Sequence, residues 1–147
     1  MSSYLWLFAA SFGAATILPL YSEVVLVSML GSTLDPALLW ASATLGNTLG
    51  AVINWIIGWT LADHAGSRWF PLREKHLERA GRWFNRYGTW TLLLSWMPVG
   101  GDAITFVGGM MRVKLWVFLL LVSLGKGARY AMIIAAFEGY WQISASL

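Results

Sequence analysis

Apolar residues in this chain fall into four long runs, and two of the four are broken in the middle. Tyr4 to Leu34 is apolar but interrupted at Pro19 to Glu23, and neither arm alone reaches the roughly 20 residues that cross a bilayer as a helix. Ala37 to Ala62 follows Asp35-Pro36 and runs 26 residues without a formal charge, which predicts a spanning helix. Thr89 to Met111 is interrupted at Pro98 to Asp102, with Gly100 and Gly101 inside the break. Leu115 to Trp141 is long enough to span but carries Lys126 and Arg129. The long polar stretch, Ser67 to Tyr87, has Trp69, Phe70, Leu72, Leu77, Ala80, Trp83, Phe84 and Tyr87 at partly helical spacing among basic residues. That predicts an amphipathic helix lying in the membrane interface.

The broken and unbroken runs repeat. A shift of 79 positions lays Pro19 on Pro98, Glu23 on Asp102 and Gly46 on Gly125. Broken segment and continuous segment follow one another twice, which is the sequence sign of a transporter fold with discontinuous helices. The expected organisation is one membrane domain over residues 1–147, with a first repeat near 1–62, an amphipathic linker near 67–87 and a second repeat near 80–141.

Composition supports the membrane reading and charge orients it. Hydrophobic residues make up 58% of the chain and charged ones 12%, against roughly 25% charged in a soluble domain. Residues 1–67 contain no Lys or Arg, whereas Arg68, Arg73, Lys75, Arg79, Arg82 and Arg86 cluster in the linker, and Arg112 and Lys114 follow the second break. Positive residues stay on the cytoplasmic side, so both ends of the second broken segment are expected there and the segment re-enters as a hairpin. The first has no basic residue at either end and fits a hairpin entering from outside. The predicted fold is therefore all-α and integral to the membrane, an inverted repeat of re-entrant helix hairpin plus transmembrane helix. An amphipathic cytoplasmic helix joins the halves, and both termini lie on the outer side.

The aromatic residues sit in apolar runs rather than among the basic ones, so the net charge of +3 does not point to nucleic acid. Without cysteine there is no disulfide framework or thiolate site, and His64 and His76 lack the spacing of a metal centre. No basic residue precedes the first apolar run, so no cleavable signal peptide is expected. No activated nucleophile or paired-carboxylate motif appears. Neither enzymatic activity nor a cofactor is expected.

Non-helical backbone at membrane depth must be buried in protein or line a wet cavity, so the two breaks should meet. Lys126 lies about 18 Å along a helix from Lys114, near the midplane, and Arg129, three residues on, shares its face. Charges at that depth cost at least about 2.5–3.5 kcal/mol each and are expected to pair inward. The candidate substrate or proton site is Glu23, Asp102, Lys126 and Arg129, with Asn47 and Asn54 as neutral neighbours. Whether the charges form a fixed structural pairing or a working site for an anionic headgroup stays open. Gly46, Gly50 and Gly58 form a small-residue stripe suited to close helix packing.

Pro19-x-x-Ser22-Glu23-Val24-Val25-Leu26 with Gly31, then Gly46-x-x-x-Gly50-x-x-x-x-Trp55-x-x-Gly58, and Phe84-x-x-Tyr87-Gly88 leading to Pro98 and Gly109, resemble the DedA family of bacterial inner-membrane proteins. Its core, the VTT domain, is shared with SNARE-associated Golgi proteins. The similarity covers nearly the whole chain, whose length resembles the small YqaA-type members. The resemblance implies inverted re-entrant hairpins, a cytoplasmic-membrane location and transport or scrambling of an anionic lipid, undecaprenyl phosphate among the candidates, with proton coupling and a homo-oligomer left open. Where many members carry arginines three residues either side of the second proline, this chain has Ser95 and Gly101; Lys126 and Arg129 are the expected source of that charge. The alternative function is a non-transporting inner-membrane protein that supports envelope integrity or division through protein partners.

Overall fold

A computed structural model describes residues 2–15, 21–62, 74–98 and 100–145. Among them every regular element is helical: α1 (Ser2–Ala14), α2 (Tyr21–Leu30), α3 (Pro36–Leu61), α4 (Glu74–Tyr87), a 3-10 helix (Gly88–Trp96), α5 (Gly101–Met110) and α6 (Leu115–Ala145). The break at Pro19 and the part of the expected amphipathic helix over 67–73 lie outside the described residues.

The start of α3 follows from local chemistry. The Asp35 carboxylate accepts from the amides of Ala37 at 2.8 Å and Leu38 at 3.4 Å, and Pro36 occupies the first helical turn, where a missing N–H costs nothing. Tyr4 fixes the entry, its hydroxyl accepting from the Asp35 amide at 3.1 Å.

The second break is equally determinate. Met97 is extended, with φ −62° and ψ 131°, as a residue before proline must be. Gly100 takes φ 97°, a conformation open to glycine alone at little cost, and Asp102 falls in the first turn of α5, where the helix dipole favours an acid. One feature had no sequence signal: the arm before the break is a nine-residue 3-10 helix, a form usually limited to three or four residues.

Helices α3 and α6 are long and apolar enough to cross a membrane. Their surfaces reverse the soluble pattern. On α3, Leu38, Leu45, Leu49, Ile53 and Ile56 are exposed, while Gly46, Asn47, Thr48 and Gly50 are buried. Large apolar side chains outward and small or polar ones inward is the arrangement hydrocarbon solvent selects.

Packing follows the same helices. α1 and α5 lie against α3, the 3-10 helix and α2 lie against α6, and α3 and α6 touch one another. One core gathers Phe84, Leu92, Ile104, Phe118 and Val122, and another gathers Leu7, Leu26, Leu39, Tyr130 and Ile134. Close approach depends on glycine. A methyl group at Gly46 would overlap the Phe8 carbonyl, at Gly50 the Ala15 methyl and the Phe12 carbonyl, at Gly58 the Phe106 carbonyl, and at Gly109 the Trp55 carbonyl. Gly109→Ala should therefore lower stability by about 1–3 kcal/mol in a denaturant titration of the detergent-solubilised protein. Gly139→Ala, where nothing lies within 4 Å, should leave the midpoint unchanged or raise it.

Candidate functional site

Five elements, α2, α3, the 3-10 helix, α5 and α6, bring polar groups to one small region. Arg129, on α6, forms an ion pair with Glu23 at the start of α2, and its other guanidinium nitrogen donates to the Trp96 carbonyl at 2.8 Å. Trp96 ends the 3-10 helix, so one side chain ties α2 to the backbone just before the Pro98 break. Both side chains of the pair are mostly withdrawn from the surface, at 13% and 25% exposure.

Lys126, one turn before Arg129, is only 5% exposed. Its ammonium donates to the Asn47 side-chain oxygen, with the Asn47 main-chain oxygen at 3.4 Å. The Asn47 amide then donates to the Tyr130 hydroxyl at 2.6 Å, and that hydroxyl donates to Ser22 Oγ at 2.9 Å. Every donor in this series points the same way, from ammonium to amide to phenol to serine. The chain fixes Lys126 by partners on α3, α6 and α2, each of them buried.

Asp102 is half-buried and lines a cavity of about 10 Å³ with Asn47, Ser95, Lys126 and Arg129. That is room for one water molecule at most. The carboxylate lies within electrostatic reach of both Lys126 and Arg129. Ser95 Oγ, in the same wall, is buried with no hydrogen-bond partner, a state that leaves a polar group costly until something fills it. Two acids and two bases are thus gathered where α2, α5 and α6 meet, and their formal charges cancel.

The expected residues divide accordingly. Glu23, Asp102, Lys126, Arg129 and Asn47 come together. Asn54 does not line the cavity; its amide donates to the Ala15 carbonyl at 3.1 Å and approaches Thr105 Oγ1 at 3.5 Å, joining α3 to the end of α1 and to α5. Pro98, Gly100 and Gly101 shape the turn, and a methyl at Gly101 would overlap the Ser95 carbonyl. Tyr130 and Ser22 escaped the sequence reading as site residues, though Tyr130 is one turn beyond Lys126 and Ser22 adjoins Glu23. Among the described residues no group of three His, Asp or Glu side chains could hold a metal.

Tyr130→Phe removes the link between Asn47 and Ser22 and leaves the hole filled. A loss of about 1–3 kcal/mol is expected in unfolding measurements, and Ser22→Ala should add little to it because both act on one bond.

Comparison with known proteins gives a consistent picture. The VTT domain family matches residues 18–139. The chain is 46% identical over 133 residues to inner membrane protein YqaA of Escherichia coli, covering 88% of this chain and 87% of that one. It is 35% identical over 144 residues to an uncharacterized protein of Haemophilus influenzae, covering 90% and 86%. Undecaprenyl phosphate transporter A of Staphylococcus aureus is 25% identical over 122 residues, 74% of this chain and 60% of the relative. No solved structure matches.

Proposed function

The chain belongs to the VTT domain family of DedA-type membrane proteins, and on that premise we propose that it is a transporter or flippase that moves an anionic lipid across the cytoplasmic membrane. The observation that carries this reading is the cluster in which buried Lys126 and half-buried Arg129 face a cavity with an unpaired hydroxyl, Ser95. The Ser95 hydroxyl lacks a protein partner and is available to an occupant of the cavity. A phosphate headgroup, entering only when the bundle opens beyond the one-water cavity of this closed form, would take Arg129 from Glu23 and Lys126 from Asn47 and accept from Ser95. A relative named as an undecaprenyl phosphate transporter supports a lipid phosphate of that class as substrate.

The architecture in this proposal is one domain made of two inverted repeats. Exchange of α1 with the 3-10 helix, α2 with α5 and α3 with α6 relates the main packing pairs: α1 on α3 answers the 3-10 helix on α6, and α5 on α3 answers the slighter contact of α2 on α6, while among the described residues the packing of α2 on α3 has no such counterpart between α5 and α6. Asn47 and Lys126, 79 residues apart and in direct contact, sit at matching positions, which is what residues on the axis between two repeats do. α5 has ten residues, about 15 Å of helix and half a bilayer core, a length that fits a re-entrant arm. The halves are read as re-entrant hairpin plus spanning helix, with termini outside and α4 on the cytoplasmic face. Its Arg79, Arg82 and Arg86 then meet anionic headgroups. Separation of Arg129 from Glu23 would free its guanidinium for the substrate.

Reconstituted vesicles with a fluorescent anionic phospholipid, quenched from outside, test the proposal. Lys126→Met and Arg129→Gln should each slow transbilayer movement at least about tenfold, equivalent to ~1.4 kcal/mol, while Asn54→Ala stays near wild type. Because removing one partner of a buried pair can cost about 3–5 kcal/mol of stability, the double variant Glu23→Gln/Arg129→Gln, which strands no charge, is measured beside them. Absence of movement of any anionic lipid by the wild-type protein would instead favour a partner-dependent role in envelope integrity.

A further inference from the structure

A second feature lies between the spanning helices and shares no residue with the charged cavity. It is a groove of about 880 Å³ between α3 and α6, walled by Leu45, Trp116, Leu120 and Leu124 and floored by Ala41, Thr44 and Gly127. The four walls are more than half exposed, and no charged side chain lines it. The Trp40 indole donates across it to the Gly127 carbonyl at 2.8 Å. Thr44 Oγ1, in the floor, is buried and has no partner on the protein.

The register of the lining is the informative part. On α3 the groove uses positions 40, 41, 44 and 45; on α6, beside 116, 127, 128 and 131, it uses their four counterparts 119, 120, 123 and 124. Each differs from its counterpart by 79, the offset that relates Glu23 to Asp102 and Asn47 to Lys126. Thr44 therefore answers Ser123, and the groove straddles the axis between the repeats. For an inverted repeat that axis lies in the membrane plane. Thr44 is nine residues from Asp35 and Ser123 nine from Lys114, about 13.5 Å of helix in each case, near half of a hydrocarbon core of about 30 Å.

We propose that this groove binds a hydrocarbon chain of a membrane lipid at the bilayer midplane, presenting equivalent contacts to a lipid arriving from either leaflet. The inference rests on the inverted-repeat, lipid-moving reading above and adds a tail site to its headgroup site. A chain is the occupant because the lining offers no charge or amide to a polar ligand. The wall is also well short of the roughly 800 Å² that each partner gives to a stable protein interface.

The test is photolabelling of the full chain in lipid nanodiscs, using a phosphatidylglycerol with a diazirine at the end of one acyl chain and peptide mass spectrometry as readout. Labels should favour residues 40–45 and 119–128 over the lipid-facing Leu5 and Met132 by about fivefold or more, equivalent to ~1 kcal/mol. They should fall to the level of Leu5 in Ala128→Phe and Ala131→Phe, which fill the groove from exposed positions. Should neither variant accumulate, the wild-type label distribution decides alone. Even labelling over all lipid-facing positions overturns the proposal. So does a disulfide-linked dimer from Leu124→Cys in this cysteine-free chain, which would assign the groove to a second copy. Groove labelling without lipid movement sinks the headgroup reading and spares this one; movement without groove labelling does the reverse.

Discussion

Two basic side chains inside an apolar bundle set the terms for everything else in this molecule. A lysine and an arginine three residues apart on α6 face into the apolar bundle, so the protein must bring partners to them. It does so with one residue from each neighbouring element: Glu23 from α2, Asn47 from α3, the Trp96 carbonyl from the end of the 3-10 helix. The turns and helix starts can be understood as means to that end. The Pro98 break frees the backbone near Trp96, Gly100 turns the chain, and Asp102 enters the same cavity from the first turn of α5.

The glycines serve the same demand from behind. Carbonyls of α1 and α5 rest where side chains of α3 would otherwise stand, at Gly46, Gly50 and Gly58, and α5 returns the favour at Gly109. Only with those short approaches do the ends of the broken segments reach α6. Large side chains displaced from the interior cover the outside instead, which is why Leu45, Leu49 and Ile53 are exposed where a soluble protein would bury them.

Much of this was legible in the sequence because the strongest signals are one-dimensional. Run length and charge placed α3 within a residue of its bounds, and α6 began at Leu115 as read; it continues to Ala145 rather than Trp141 because nothing after Trp141 stops a helix. Helical spacing put Lys126 and Arg129 on one face, and the matching breaks pointed to Glu23 and Asp102. What was not legible depends on contact. The 3-10 helix has the composition of an ordinary apolar helix and is set by packing on α6 and α5. Tyr130 looks like one more aromatic in a spanning run until Asn47 and Ser22 are brought to its hydroxyl. Asn54, grouped with Asn47 as a neutral neighbour of the charged cluster, donates instead to the Ala15 carbonyl at the end of α1.

The central claim is that the pairing of Glu23 with Arg129 is exchangeable for an anionic headgroup, and a double-mutant cycle reads it most directly. The coupling energy between Glu23→Gln and Arg129→Gln would be measured by unfolding in a neutral detergent, then again with an anionic phospholipid added. The account predicts a coupling of about 0.5–3 kcal/mol without the lipid and a clear fall with it. A coupling that is absent at the outset, or that the anionic lipid leaves unchanged, would contradict it.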